Sequence, residues 1–267
     1  MTSSHLLRRL GAVPLPVFIA IIAALFIAQP YTPLVVFEPP LLLPILNTLF
    51  VSAISFVVAY ISARSYLTSG SLIPLLLGSA VLTFGSTGLV AGWLMGLGGP
   101  NVNVTIHNTG ALAASIFHAV SATLAFAGAT LQVSRFRKSR LIIAYLGALV
   151  FAALLTIASL QGSIPPFFIQ GVGPTLLRQA VLGTALALFA LSSILFIRRY
   201  FKLMSPILYW YSLALALIAI GLSAVFLQRA VGGPIGWTGR TAQYLSGIYF
   251  LTAVLAGRGT RTERKQS

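Results

Sequence analysis

The sequence contains no cysteine and only two acidic residues, Glu38 and Glu263, in 267 positions. Without cysteine there are no disulfides, thiolate metal sites or thiol nucleophiles. The scarcity of carboxylates excludes more. Proton pumps and cation-coupled transporters carry Asp or Glu inside their membrane spans, whereas both glutamates here lie outside the long apolar runs. Lysine occurs only as Lys138, Lys202 and Lys265, each at the end of such a run, which excludes a retinal-type Schiff base. There is no P-loop, no HExxH and no GxSxG, and no nucleophile stands out. The expectation is a protein that is not an enzyme and that carries no cofactor.

What is present is apolar. Hydrophobic residues make up 58% and charged residues 7% of the chain, against about 25% charged in soluble domains. Eight runs, at residues 13–28, 43–61, 72–97, 110–133, 141–160, 176–197, 206–227 and 237–256, are each long enough for a hydrocarbon core of about 30 Å. Short connections join them, so sequential helices should pack as neighbours. The expected fold is all-α, a polytopic integral membrane bundle of about eight transmembrane helices. Residues 1–257 form one bundle and residues 258–267 a short basic tail.

The net charge of +15 follows from topology. With the N-terminus inside, every Lys and Arg except Arg178, Arg229 and Arg240 falls on the cytoplasmic side. This bias alternates across all eight runs and places both termini in the cytoplasm, the chain being a multi-pass protein of the cell membrane. The lipid bilayer is the expected partner. Nucleic acid is not, because the cations sit at helix ends without interleaved aromatics. HLLRRL before the first run also fits a signal peptide, but Ala28-Gln29-Pro30 makes a poor cleavage site, so the first span is expected to be retained. Gly88, Gly92 and Gly96 form a ridge at four-residue spacing, expected to let a neighbouring helix approach closely.

The stretch IPPFFIQGVGPTLLRQAV at residues 164–181 is the longest interruption of the second half. Pro165-Pro166 forces extended backbone, Gly171 and Gly173 permit positive φ, and Pro174 suits a first helical turn. Arg178 and Gln179 then enter a helix. Counting back from each helix's cytoplasmic cations at about 1.5 Å per residue, Asn47, His118, Arg178 and Arg240 reach one level in the outer leaflet, with Gln179 and Gln243 near it. Intramembrane polar groups usually face the bundle interior or an aqueous cavity, so these residues are candidates for an outward-opening ligand site. The alternative is a ring of separate interface residues, each wetted by headgroups. Glu38 is the one carboxylate near this layer and is expected to pair an arginine, which leaves positive potential for an anionic ligand or lipid headgroup. His118 is the candidate for a pH-responsive group. His107 and His118 stand eleven residues apart, too far to share one ion, so no metal site is expected; NVNVTIHNTG is expected to turn and cap the next helix.

Three stretches, TIHNTGALAASIFHA at 105–119, PPFFIQGVGPTLLRQAVL at 165–182 and GWTGRTAQYLSGIYFLTA at 236–253, resemble one known family, and residues 38–67 share its character. It is the N-terminal multi-span sensor region of prokaryotic PAS-containing sensor histidine kinases of two-component systems, the membrane-associated sensor domain type. The resemblance implies a membrane-embedded module for signal transduction that perceives a small molecule, lipid or membrane state and signals through its last helix. A cytoplasmic kinase or cyclase output domain is the implied partner, with a homodimer left open. Residues 1–267 hold no PAS pattern, phosphoacceptor helix or ATP-binding motif, so the chain is either part of a longer sensor or a stand-alone relative. A small transporter or channel for an anion or amphiphile is the alternative.

Overall fold

In lipid a backbone must satisfy its own N–H and C=O groups, which turns apolar runs into helices. The computed structural model describes residues 10–33, 35–128, 132, 135–169 and 172–266, with side chains of the last helix to residue 256. Its helices are α1, Pro14–Ala28; α2, Leu42–Leu46; α3, Ile54–Ser69; α4, Leu72–Ala127; α5, Arg137–Leu160; α6, Leu176–Leu203; α7, Pro206–Leu227; and α8, Pro234–Gln266. A π-helical stretch, Asn47–Ala53, joins α2 to α3 in one continuous rod. Six helical stretches among the described residues are long and apolar enough to cross a membrane: Leu10–Tyr31, Leu42–Ser69, Leu72–Ala127, Arg137–Leu160, Leu176–Leu203 and Pro206–Leu227.

The longest of these is a hairpin. Gly99 leaves helical geometry at φ 71°, ψ −174°, and Pro100 follows it, a combination that breaks the ladder and restarts it. The limbs 72–98 and 100–127 then run back along each other. Asn103 Nδ2 donates to the Ala91 carbonyl at 2.6 Å, Ser121 Oγ donates to the Ile73 carbonyl at 3.4 Å, and Gly110 lies against Thr87. The segment expected to be a turn, NVNVTIHNTG, is therefore helical, and the helix stops at Ala127 with Gly128 in the left-handed region at φ 70°. Val133, the end expected from the sequence, lies outside the described residues.

At the centre stands α7, which contains no charged residue, no Asn and no Gln and buries 13 of its 22 residues. Its neighbour α8 approaches closely enough that a Cβ on Gly239 would stand 2.6 Å from the Gly221 carbonyl oxygen. Such backbone contact requires glycine on both sides. The glycine ridge of the first α4 limb faces the α2–α3 rod, but in a different register from the expected one. Gly85, Gly88 and Gly92 pack on Ser55, Val51 and Asn47, whereas a Cβ on Gly96 would meet nothing within 4 Å. The N-terminal helix lies on α7 and α8: Gly11 packs on the Trp210 ring, Tyr249 donates to the Gly11 carbonyl at 2.8 Å, and Ile22 is buried with Ala224 and Ile235.

The bundle has two chemically distinct ends. At one, the positive-φ residues Gly70, Gly128, Phe136 and Met204 mark the helix ends near which Arg64, Arg137, Lys138, Arg140, Arg198, Arg199 and Lys202 lie; Arg137 donates to the Leu67 and Thr68 carbonyls there. At the other end lie Glu38, Arg178, Arg229 and Arg240. Arg8 and Arg9 fall outside the described residues.

Candidate functional site

The loop before α6 folds as a small hairpin. Phe168–Ile169 pairs antiparallel with Gly173–Pro174, and Gly173 takes φ 109°. Gly171 lies outside the described residues. Asn101 Oδ1 accepts from the Phe167 and Phe168 amides at 2.9 and 3.0 Å, tying the loop to the hairpin turn of α4. Pro174 is in the strand rather than the helix. Thr175 is the N-cap, accepting from the Arg178 amide at 3.3 Å while its hydroxyl donates to the Pro166 carbonyl at 2.9 Å. One turn in, Arg178 is fully buried at 0% exposure and does not snorkel to the interface. Its Nη2 donates to the Val225 carbonyl of α7 at 2.7 Å; Nε and Nη1 have no partner among the described residues.

Arg240 enters from α8 and donates to Glu38, the two side chains being 12% and 16% exposed. The guanidinium also lies 4.7 Å over the Trp237 ring, and Trp237 Nε1 donates to the Phe37 carbonyl at 2.6 Å. The Phe37 amide bonds to the Gly232 carbonyl at 2.9 Å, and Glu38 lies on Gly232, where a Cβ would overlap its Cγ. Glycine at position 232, with φ 81°, thus makes the seat for the carboxylate. Together these contacts clasp the segment before α2 onto the first turns of the last helix.

His107, on the second limb of α4, packs against Phe84 at 5.8 Å between ring centroids, at the level of Arg178. The register of α6 agrees. His118 packs on Phe189 at 5.5 Å between ring centroids; counting eleven residues back along each helix leads to His107 and Arg178. Beside them Asn108, with both amide atoms, and Thr105 Oγ1 are buried without partners among the described residues. Gln179 donates to the Phe226 carbonyl at 3.5 Å, and its Oε1 is likewise unpartnered.

His118 does not belong to this layer. It is fully buried among Phe189, Tyr211 and Phe250, stacked on Phe250 at 6.0 Å, with Nδ1 3.4 Å from the Tyr211 hydroxyl. Tyr211 and Val225 are fourteen residues apart on α7, about 21 Å, so His118 lies deep in the bundle, far below Arg178. The count from Arg135 placed it too high because it assumed a helix running to Arg135, whereas the helix stops at Ala127. Gln243 bridges the two levels: one turn beyond Arg240, it shares a small cavity of about 10 Å³ with His118, and its Nε2 is unpartnered. Asn47 is occupied as glue between helices, donating to the Gly88 carbonyl and accepting from the Tyr244 hydroxyl, both at 3.1 Å. Arg229 is exposed and bonds only weakly to the Gln29 carbonyl at 3.5 Å.

Arg178 and Gln179 thus pack on the end of α7, Arg240 and Glu38 pair at the same end of the bundle, His107, Thr105 and Asn108 lie there on the second limb of α4, and His118 and Asn47 are seated elsewhere. The missed residues all lie in the stretch expected to be a turn; their helical spacing from His118 was the signal available. Two guanidiniums and one carboxylate leave an excess positive charge in a layer largely shielded from water, an arrangement that can hold a carboxylate or phosphate group. Among the described residues no group of three or more His, Cys, Asp or Glu side chains could hold a metal ion.

No curated protein and no solved structure matches the chain. A family model does: that of the membrane-associated sensor domain MASE3 covers residues 38–258, from the carboxylate that holds Arg240 to the far part of the last helix. With its several membrane-length apolar helices, the chain is a multi-pass membrane protein and belongs to the membrane-associated sensor domain family.

Proposed function

We propose that this domain perceives a small anionic molecule, lipid headgroup or membrane state at the Arg178–His107–Arg240 layer and passes the change along α8 to a cytoplasmic partner. One observation carries the reading: the only carboxylate in the layer is committed to Arg240, on the output helix, while the neighbouring buried Arg178 keeps two unpartnered N–H groups. An anion bridging the arginines would compete with Glu38 for Arg240 and so loosen the clasp on α8. Ligand-driven change requires such a difference in contacts between states.

The accompanying topology is eight spans, with α4 crossing twice and α8 once, both termini in the cytoplasm of a prokaryotic cell. Residues 1–257 are one bundle, and 258–267 its tail. The arginine layer then faces outward and the cation-rich end inward, in agreement with the positive-inside bias. The output is a kinase or cyclase domain, the domain itself being non-catalytic, and a homodimer is compatible with the exposed faces of α1 and α5.

The test uses the full chain in detergent micelles and the fluorescence of Trp237, against which Arg240 lies. Millimolar acetate, succinate or inorganic phosphate should produce a saturable change that Arg178→Met removes. No saturable response to any of the three, or an unchanged response in the variant, refutes the anion reading. Transport of an anion or amphiphile is the second reading, favoured by a cavity that starts at the cation-rich end and reaches Tyr211 in the middle of the bundle. The ring layer of His118, Phe189, Tyr211 and Phe250, with centroids 4.7 to 6.0 Å apart, closes the path between this cavity and the arginine layer. Uptake of labelled succinate into proteoliposomes would establish transport; its absence supports the sensor.

A further inference from the structure

The cation-rich end contains a cavity of about 760 Å³, bounded by the ends of α3 and α6, the starts of α4 and α7, the second limb of α4, and Val254 of α8. This is the size of a pocket for a drug-sized ligand. Its walls are mostly apolar, with Leu77, Phe196 and Leu208 among them, and Ser62, Ser65, Thr68, Ser71 and Gln132 add uncharged polar groups. Two guanidiniums, Arg64 from α3 and Arg199 from α6, also line it, and among the described residues that line it none is acidic. The Arg199 guanidinium reaches over Gly128, the left-handed residue that closes α4.

Mostly apolar walls with two cations, and no carboxylate among the described residues, match one class of ligand. An inorganic anion would leave the walls unsatisfied, and a neutral lipid would leave both arginines without a counter-charge. We infer that the cavity binds an acidic phospholipid, its phosphate between Arg64 and Arg199 and an acyl chain along Leu77, Phe196 and Leu208. Arginine is suited to the phosphate by its paired N–H donors, and acidic lipids are attracted to basic helix ends at this leaflet. Val254 of the last helix also lines the cavity, so the bound lipid touches the output helix directly. This site rests on different residues from the arginine layer at the other end and stands or falls separately from it.

The experiment uses the full chain, delipidated in detergent, with dioleoylphosphatidylglycerol, dioleoylphosphatidylcholine and inorganic phosphate as probes. Thermal unfolding and native mass spectrometry serve as readouts. Phosphatidylglycerol should be retained and should raise Tm, whereas phosphatidylcholine and phosphate at equal concentration should not. The double variant Arg64→Gln, Arg199→Gln should lose affinity for phosphatidylglycerol by about tenfold or more. Arg135→Gln with Arg198→Gln removes equal charge from exposed positions at the same end and should keep that affinity. Leu208→Trp, which fills the wall and leaves both arginines, should also weaken binding. Equal stabilisation by phosphatidylcholine, saturable binding of phosphate alone, or undiminished affinity in the double variant would each overturn the assignment.

Discussion

Arg240 on the last helix donates to Glu38, 202 residues earlier in the chain and just before α2. This ion pair closes the end of the bundle opposite the cation-rich turns. It also fixes the first turns of α8.

Breaking that pair tests the clasp. The two side chains are mostly shielded, between the exposed pairs worth little and the buried pairs whose rupture is costly. Glu38→Gln should lower stability by about 1–3 kcal/mol, read as a fall in Tm of the purified chain. The exchange Glu38→Arg with Arg240→Glu should recover part of the loss. No change in Tm in the single variant would show that the pair is solvated and mechanically idle.

Arg178 should behave differently. A buried arginine with two unpartnered N–H groups contributes little to stability for its cost of desolvation. Arg178→Met should therefore leave the unfolding midpoint within about 1 kcal/mol of the parent, or raise it, while abolishing the Trp237 response to anions. A large destabilisation together with an intact response would make Arg178 a structural residue.

For His118 the expected result is near-neutrality. It fills a ring-lined site and has one long contact to Tyr211, so His118→Phe should cost no more than about 1.5 kcal/mol. Any dependence of the anion response on pH between about 5 and 8 should survive in this variant. Loss of that dependence would return His118 to the site.

The glycines separate close packing from mere small size. Gly239→Ala puts a Cβ against the Gly221 carbonyl oxygen and should cost about 1–3 kcal/mol. Gly96→Ala meets nothing within 4 Å and should be neutral or stabilising by about 0.5–1 kcal/mol through the better helix former. Equal losses at both positions would contradict the observed register.

Topology is checked by reporter fusions in the intact membrane. Fusions after Arg137 and after Ser267 should read cytoplasmic, and a fusion after Ile169 external. An external C-terminus would invert the proposed direction of signalling.

Much of the architecture was determined by sequence alone, because membrane helices leave a one-dimensional trace. Apolar runs of span length, the sparse charge and the distribution of arginine and lysine specify helices and two distinct ends before any packing is known. The family resemblance lay in local stretches of this kind and agrees with the family model over residues 38–258. The site was less legible. That Glu38 would pair an arginine was legible, since one carboxylate faced three, but the choice of Arg240 came only with the fold. The choice between His107 and His118 was not legible, because depth depends on where the helix turns and stops. That was decided by the Gly99–Pro100 turn, the end at Ala127 and the seating of His118 among Phe189, Tyr211 and Phe250. Likewise no sequence pattern marked the cavity beside Arg64 and Arg199, whose walls come from five separate helices. Periodicity and hydropathy are properties of one segment; cavities and charge clusters arise only where several segments meet.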